Sequence, residues 1–120
     1  MTTELHHVNV TVPKALELAA KAFYRNVVGL PEIPKPGAGQ RGGAWYQLGS
    51  VQLHLSVEEA TDRRASTRHI CILVANLTEA EQTFRNAGVA ILPDERPIAG
   101  WSRFYVCDPG GNRIEVAQRP

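Results

Sequence analysis

The stretch SRFYVCDPGGNRIEVAQ (residues 102–118) has the pattern of a β-hairpin. Apolar and polar residues alternate on each side of a PGGN turn, as expected for two half-buried strands joined by a tight connection. An earlier stretch, AWYQLGSVQLHLSV (44–57), repeats this pattern around Gly49 and Ser50. The sequence therefore predicts one antiparallel hairpin at the end of each half of the chain.

In the first half, a strand and a helix precede the hairpin. LHHVNVTV (5–12) alternates and is rich in β-branched residues, which predicts a strand. Pro13 is suited to begin a helix, and Gly29 is placed to end it. The segment 31–43 contains three prolines and four glycines and is predicted to be a loop. A polar connector, 58–67, then leads to the second half.

The same order of elements returns after the connector. RHICILV (68–74) predicts a strand, and NLTEAEQTFRNAGV (76–89) predicts a helix with Asn76 or Thr78 as its N-cap. A short strand is expected around AILP (90–93), before the second hairpin. Both halves thus follow the order strand, helix, short strand or loop, hairpin.

Residues as well as element order repeat between the halves. FYRNVVG (23–29) resembles TFRNAGV (83–89). The pattern is that of a β-α-β-β-β module used twice, from about 4 to 58 and from about 67 to 118, within one domain (1–120). Because a module of this size buries little surface alone, the two sheets are expected to join around a shared interior. The predicted fold class is α+β.

Composition and charge exclude several classes of function. The 120 residues are 43% hydrophobic and 21% charged, with a formal net charge of +1. There is no basic stripe that would favour nucleic acid. No apolar run approaches the roughly 20 residues that cross a membrane, and the first ten residues lack a signal-peptide core. These features predict a cytoplasmic protein with no membrane or nucleic-acid partner, in which Cys71 and Cys107 are reduced thiols.

Polar residues with metal-binding side chains fall at equivalent positions of the two modules. His7 and His69 are 62 positions apart, and His54 and Glu115 are 61 apart. In each strand these residues point away from the face that the helix covers, whereas His6 lies on the other face. Three imidazoles and a carboxylate that converge are suited to a divalent metal. A charged hydrogen-bond network without metal is the alternative.

Other polar and aromatic residues are predicted on the same faces as these candidate ligands. The arginines would hold a carboxylate or phosphate group by forked hydrogen bonds, or pair with an acidic residue of the protein. The aromatic residues would contact an apolar substrate or simply pack, and Cys71 would be a reactive thiol or a small filler. The candidate substrate-binding residues are Trp45, Gln47, Arg103, Tyr105 and Arg113.

The order of these motifs resembles the vicinal oxygen chelate superfamily, the group of glyoxalases, bleomycin-resistance proteins and extradiol dioxygenases. The matching stretches are LHHVNVTV, FYRNVVGLPEI, GSVQLHLSV, RHICILV and FYVCDPGGNRIEVA, of which the last is the most specific. The resemblance covers nearly all of the chain. It implies two βαβββ modules in tandem that form a glyoxalase-like half-barrel or cup.

The resemblance also implies a site and a chemistry. Its metal positions correspond to His7, His54, His69 and Glu115, with His54 at the position that varies between activities. One divalent ion (Zn, Ni, Mn, Fe or Co) would act as a Lewis acid on a small molecule bound through two adjacent oxygens. A lyase or isomerase step would follow, with Glu115 or a metal-bound hydroxide as the base. A non-catalytic drug- or metabolite-binding protein and a ring-cleaving extradiol dioxygenase are the alternatives, and a homodimer is expected.

Overall fold

A computed structural model of the chain describes residues 1–37, 41–59 and 66–120. The chain divides into two compact units, Met1–Thr61 (unit 1) and Asp62–Pro120 (unit 2). Residues 38–40 of the predicted loop and residues 60–65 of the predicted connector lie outside the described residues. Each unit contains one open β-sheet and helical segments, so the α+β fold class is confirmed.

Unit 1 contains a four-stranded sheet in the order β1-β4-β3-β2. Strands β1 and β4 are parallel, while β4–β3 and β3–β2 are antiparallel. Strand β2 lies in the predicted loop, where Pro31 and Pro34 limit it to two residues because proline has no N–H to donate. The strands are β1 (His7–Val12), β2 (Glu32–Ile33), β3 (Ala44–Leu48) and β4 (Val51–Val57).

The predicted helix of unit 1 forms as three successive segments rather than one regular helix. They are a 3-10 turn (Lys14–Leu16), α1 (Glu17–Ala22) and a π-helical turn (Phe23–Val27). Phe23 and Tyr24 are adjacent and both buried, and a widened turn reduces the angle between neighbouring side chains. Gly29 ends the segment as predicted, with φ at +82°, and the Leu30 N–H donates to the Tyr24 carbonyl at 2.9 Å.

A buried carboxylate connects α1 to the start of β3. Glu17 accepts a hydrogen bond from the Gly43 N–H at 2.7 Å. Its other polar contacts are Lys21 at 3.1 Å and Lys14 at 3.4 Å. Gly43 is required here, because a Cβ at this position would lie 2.2 Å from the Leu55 carbonyl oxygen and φ is +77°.

Unit 2 contains a three-stranded sheet in the order β5-β7-β6. Strands β5 and β7 are parallel, and β6 and β7 form the predicted antiparallel hairpin. At its turn the buried Asp108 carboxylate accepts from the backbone N–H and side-chain amide of Asn112, at 2.9 and 2.8 Å. The elements are β5 (His69–Leu73), α2 (Leu77–Asn86), β6 (Ser102–Cys107) and β7 (Arg113–Gln118).

Helix α2 begins as predicted but ends earlier. The Asn76 side chain accepts from the Glu79 N–H at 3.0 Å and caps the first turn. The prediction that the helix continues to residue 89 is wrong, because Gly88 adopts φ of +75°. The Val89 N–H then donates to the Phe84 carbonyl at 2.9 Å and closes the end.

The strand predicted around 90–93 forms only as a single bridge. Leu92 exchanges both backbone hydrogen bonds with Tyr105, at 2.7 and 2.9 Å. Pro93 follows directly and has no N–H with which to extend the ladder. The predicted second strand of the second module is therefore reduced to one residue.

The core of each unit lies between the helix and the sheet face that the alternation predicts. In unit 1 the buried apolar residues are Val12, Ala20, Phe23, Tyr24, Ala44, Tyr46, Leu53 and Leu55. In unit 2 they are Ile72, Phe84, Phe104, Val106, Ile114 and Val116, whereas the buried Ala117 lies on the opposite face of β7, which it shares with Glu115. Among the described residues, no helix has the length and apolar character needed to span a membrane.

The Glu17 contacts predict a specific pH dependence of stability. The Gly43 N–H and the ammonium groups of Lys21 and Lys14 hold the pKa of Glu17 at about 2, against an ordinary 4.5, and outweigh burial, which raises it. Because the folded pKa is lowered, this stabilisation is complete above pH 4.5 and is lost as the pH falls toward 2. Glu17→Gln should lower the free energy of unfolding at pH 7 by about 2 kcal/mol, measured by urea denaturation, and should flatten its slope below pH 4.5.

Glu81→Gln is the matched control, because Glu81 forms an exposed pair with Arg85 at 3.3 Å. It should change stability by no more than about 0.5 kcal/mol. Equal losses in the two variants would show that the contact between Glu17 and Gly43 does not stabilise the fold.

Candidate functional site

The central strand of each unit holds one candidate ligand between two neighbouring strands. In unit 1, His54 of β4 lies opposite a residue of β1 and a residue of β3. In unit 2, Glu115 of β7 lies opposite a residue of β5 and a residue of β6. The corresponding rows across the sheets are Asn9–His54–Trp45 and Cys71–Glu115–Tyr105. The sequence repeat is therefore also a repeat of strand register.

In unit 1 three aromatic rings form a histidine stack, which consists of Trp45, His54 and His7. The indole of Trp45 lies 3.9 Å from the His54 ring at an interplanar angle of 1°. On the opposite side, the His7 ring lies 4.0 Å from His54 at 16°. His54 is only 6% exposed, so both faces of its imidazole are covered.

The edge of the His54 ring is also held. Its Nε2 lies 2.8 Å from the Gln52 side-chain carbonyl oxygen. Since a carbonyl oxygen only accepts, Nε2 carries the proton and Nδ1 has the lone pair. Burial lowers the pKa of His54, and the positive charges of His7, His6 and Lys35 lower it further. His54 is therefore a neutral imidazole at pH 7.

His6 contacts His7, although the alternation of β1 placed it on the opposite face. The two Nδ1 atoms lie 2.9 Å apart, so one of them carries the shared proton. The rings meet edge to face at 5.2 Å. This contact leaves Nε2 as the open nitrogen of His7.

In unit 2 the Glu115 carboxylate is surrounded by hydrogen-bond donors and is 5% exposed. Oε1 accepts from the Tyr105 hydroxyl at 3.0 Å and from the Arg103 guanidinium at 3.2 Å. Oε2 accepts from the Trp101 indole N–H and the Cys71 thiol, both at 3.2 Å. We refer to these five residues as the Glu115 network.

The network fixes the protonation of its members. Burial pushes the pKa of Glu115 upward, but the hydrogen bonds from Cys71, Trp101 and Tyr105 and the charge of Arg103 outweigh it, so the pKa lies below its usual value. Although Cys71 is exposed as a residue, burial of its thiol and the Glu115 carboxylate raise its pKa to about 12. Glu115 is thus ionised and Cys71 protonated at pH 7.

Arg103, a candidate substrate contact, is held by the protein. Its guanidinium donates to the Asp94 carboxylate at 3.0 and 3.4 Å and to the Arg96 carbonyl at 3.0 Å, in addition to Glu115. These hydrogen bonds hold the pKa of Asp94 below its usual range. Arg103 thus orients Glu115, and its contact with substrate stays a prediction.

Two further substrate-binding candidates differ in how they are held. The Gln47 amide donates to the carbonyls of Gly49 and Val51, at 2.8 and 3.1 Å, and closes its own turn. The Arg113 guanidinium lies 5.2 Å from the centre of the Tyr105 ring, and within the described part of the chain it forms no ion pair. Arg113 therefore retains donors for an anionic group.

His69 lies beside Glu115 with its Nε2 facing the carboxylate. The His69 Nδ1 lies 2.9 Å from the Thr67 carbonyl oxygen and therefore carries a proton. Its Nε2 lies 3.4 Å from Glu115 Oε1. In neutral His69, two electron-pair donors face each other across this distance.

The structure thus brings the predicted ligands together as two pairs, His7 with His54 and His69 with Glu115. Over residues 1–37, 41–59 and 66–120, no group of three or more His, Cys, Asp or Glu side chains is arranged to hold a metal ion. A single centre that contains all four residues stays a prediction.

Comparison with known proteins identifies the family. The model of the Glyoxalase/Bleomycin resistance protein/Dioxygenase superfamily matches residues 4–116. The chain belongs to this superfamily. No curated protein matches the sequence significantly.

Solved structures of the glyoxalase superfamily share the fold. A glyoxalase family protein from Bacillus anthracis is 34% identical, with a TM-score of 0.86 over 100% of this chain and 98% of that chain. The fosfomycin resistance protein FosX from Listeria monocytogenes is 17% identical, with a TM-score of 0.82 over 97% and 91%. A lactoylglutathione lyase from Agrobacterium tumefaciens is 22% identical, with a TM-score of 0.75 over 98% and 96%. The last two likenesses show the fold alone.

Sequence reasoning did not find four contacts that this glyoxalase-superfamily chain makes around the candidate ligands. The alternation of β4 could have indicated the contact between Gln52 and His54, because the two residues share a face of the strand. Alternation could not indicate His6, which directly precedes β1 and was expected on the opposite face. It could not indicate Trp101 and Asp94 either, because both lie outside the strands.

The Glu115 network predicts that Cys71 is unreactive. With a pKa of about 12, its thiolate fraction at pH 8.5 is roughly a thousandth of that of an ordinary cysteine. In a Cys107→Ser background, alkylation by iodoacetamide should be at least about 100-fold slower than in the urea-unfolded protein. Glu115→Gln should accelerate it. Equal rates in folded and unfolded protein, read by mass spectrometry, would contradict the contact.

Proposed function

We propose that the chain is a metal-dependent enzyme that binds a small molecule through two adjacent oxygens and catalyses a lyase- or isomerase-type step. Membership of the glyoxalase superfamily supports this proposal. The geometry of His69 and Glu115 supports it independently and carries the argument below.

The observation that carries the proposal is the 3.4 Å separation of His69 Nε2 and Glu115 Oε1. Two acceptors at this distance repel each other unless a cation or a proton lies between them. Atoms bound to one ion at about 2.1 Å lie roughly 3.0 to 3.4 Å apart. The pair is therefore spaced as two neighbouring ligands of one metal ion.

The donor set also has the protonation that metal binding requires. Metal ligands must be neutral imidazoles and ionised carboxylates. Hydrogen bonds and Arg103 keep the pKa of Glu115 low, and the Thr67 carbonyl fixes the tautomer of His69. A carbonyl that accepts from the second ring nitrogen is the usual support of a metal-bound histidine.

The sequence prediction names His7, His54, His69 and Glu115 as ligands, and we propose that one divalent ion binds to residues of this set. His7 contributes its Nε2, which has a lone pair when His7 donates the proton that its Nδ1 shares with His6. When bound, the ion supplies Lewis-acid stabilisation of negative charge on a substrate oxygen. The role of His54 is argued separately below.

The residues of the chain have distinct roles in this proposal. Arg113 holds an anionic group of the substrate, since its guanidinium has no carboxylate partner in the described residues. Tyr105 provides the ring beside it. Glu115 is proposed to transfer the proton, while Arg103 and Trp101 hold its carboxylate in place. Trp45 and Gln47 are proposed to line the substrate side of β3.

Substrate sequestration without catalysis is the rival within the same superfamily. Sequestration requires no metal, so the side chains of the candidate ligands would be expected to hydrogen-bond only to each other. The 3.4 Å separation of His69 Nε2 and Glu115 Oε1, at which two neighbouring metal ligands lie, favours the metal-dependent reading. We further propose a homodimer located in the cytoplasm, as the sequence predicts.

Metal binding tests the proposal directly. The wild-type protein, stripped with a chelator and dialysed, should bind Zn²⁺ with a stoichiometry of one per chain, measured by competition with a chromophoric chelator. His7→Ala and Glu115→Gln should each weaken binding by about 100-fold, because each removes a ligand.

His6→Ala is the control for a supporting contact, since His6 is exposed like His7 and touches its Nδ1 but is not a proposed ligand. It should weaken binding by less than about 10-fold, the lower end of the effect of a supporting residue. No Zn²⁺ binding by the wild type would overturn the enzyme proposal and support sequestration. Equal losses in His6→Ala and His7→Ala would remove His7 from the ligand set.

A further inference from the structure

We propose that His54 is not a metal ligand but a positioning residue that holds the ring of His7. This inference rests on the proposed metal site and refines it. It assigns a role to a residue that sequence reasoning placed among the ligands, and it names Trp45 and Gln52 as the residues that hold His54.

The first argument is that the surface of the His54 ring is already occupied. Trp45 covers one face at 3.9 Å and His7 covers the other at 4.0 Å. Gln52 accepts from Nε2 at 2.8 Å. Only Nδ1 remains, on a side chain that is 6% exposed.

The second argument concerns the direction of the lone pairs. The lone pair of an imidazole nitrogen lies in the plane of the ring. Since the His7 and His54 planes are within 16° of parallel and their centres are 4.0 Å apart, their lone pairs point along nearly parallel planes. Two such rings cannot both direct a nitrogen at one ion unless the stack is broken.

The third argument is that the stack restrains His7, which is otherwise exposed at the start of β1. One face of His7 lies against His54, and its Nδ1 is shared with His6. Together these contacts fix the plane of His7 and leave its Nε2 open. Contacts that orient a ligand in this way typically contribute 10- to 100-fold to metal affinity.

The consequence for chemistry is the number of protein ligands. His7, His69 and Glu115 would hold the ion without His54, and the ion would supply Lewis-acid stabilisation of negative charge on a substrate oxygen when bound.

The test compares two substitutions of His54 in the full chain. His54→Phe keeps a flat ring between Trp45 and His7 but has no donor nitrogen, whereas His54→Ala removes both the ring and the nitrogen. The Zn²⁺ dissociation constant of His54→Phe should stay within about threefold of wild type. That of His54→Ala should rise by about 10- to 100-fold.

Two affinity results would overturn the inference. A loss in His54→Phe as large as that in His7→Ala would show that the His54 nitrogen binds the metal. An unchanged affinity in His54→Ala would show that the stack does not hold His7.

A spectroscopic readout separates this inference from the proposed function. In long-range ¹H–¹⁵N spectra of the metal-free protein, His54 should be the Nε2–H tautomer, and Gln52→Leu should convert it to a mixture. Gln52→Glu, which keeps an acceptor, should restore the tautomer, and Gln47→Leu should leave it unchanged, because the Gln47 amide bonds only to its own turn.

A mixed tautomer in wild type, or a shift of His54 Nδ1 when Zn²⁺ is added, would overturn the inference. If the wild type bound no Zn²⁺, the proposed function would fail. The tautomer and its response to Gln52→Leu would still decide whether His54 is held as described.

Discussion

A carboxylate on the central strand of a sheet stays ionised only if donors replace the water that it has lost, and this constraint organises unit 2. Glu115 is nearly buried, and two donors serve each of its oxygens. A carboxylate has about four lone-pair sites, so hydrogen bonds already use its capacity. A metal ion at Oε1, the oxygen that faces His69 Nε2, would displace the hydrogen bond from Tyr105 or from Arg103.

The equivalent position in unit 1 meets a different requirement with the same strand register. His54 needs no charge compensation, because burial and neighbouring positive groups keep it neutral. Flat aromatic contacts therefore surround it instead of donors, and Gln52 supplies one acceptor. The repeated strand register thus provides two equivalent positions, and the residues across the neighbouring strands decide whether hydrogen-bond donors or aromatic rings surround each.

The sequence predicted the parts of the fold that depend on periodicity and turn residues. Alternation located the strands of both hairpins and the buried faces, and Gly29 and Asn76 marked helix ends. The spacings of 62 and 61 residues predicted that His7 and His69, and likewise His54 and Glu115, occupy equivalent positions of the two sheets. The strand registers confirm this equivalence. Periodicity could not predict the π-helical turn at Phe23, because the burial of two adjacent rings decides it. It could not predict the single bridge at Leu92 either, because the proline that follows ends the ladder. Side-chain partners such as Trp101 and Asp94 come from loops, where spacing carries no positional information.

Anomalous diffraction tests the central claim most directly, that His69 and Glu115 are spaced as ligands of one metal ion and that His54 holds His7 without binding that ion itself. Crystals of the protein grown with Zn²⁺ would be measured at the zinc absorption edge. The account predicts one peak per chain about 2.0 to 2.2 Å from His69 Nε2 and from a Glu115 oxygen, with His54 still stacked on Trp45. No peak at Glu115, or a peak bound by His54 Nδ1, would contradict it.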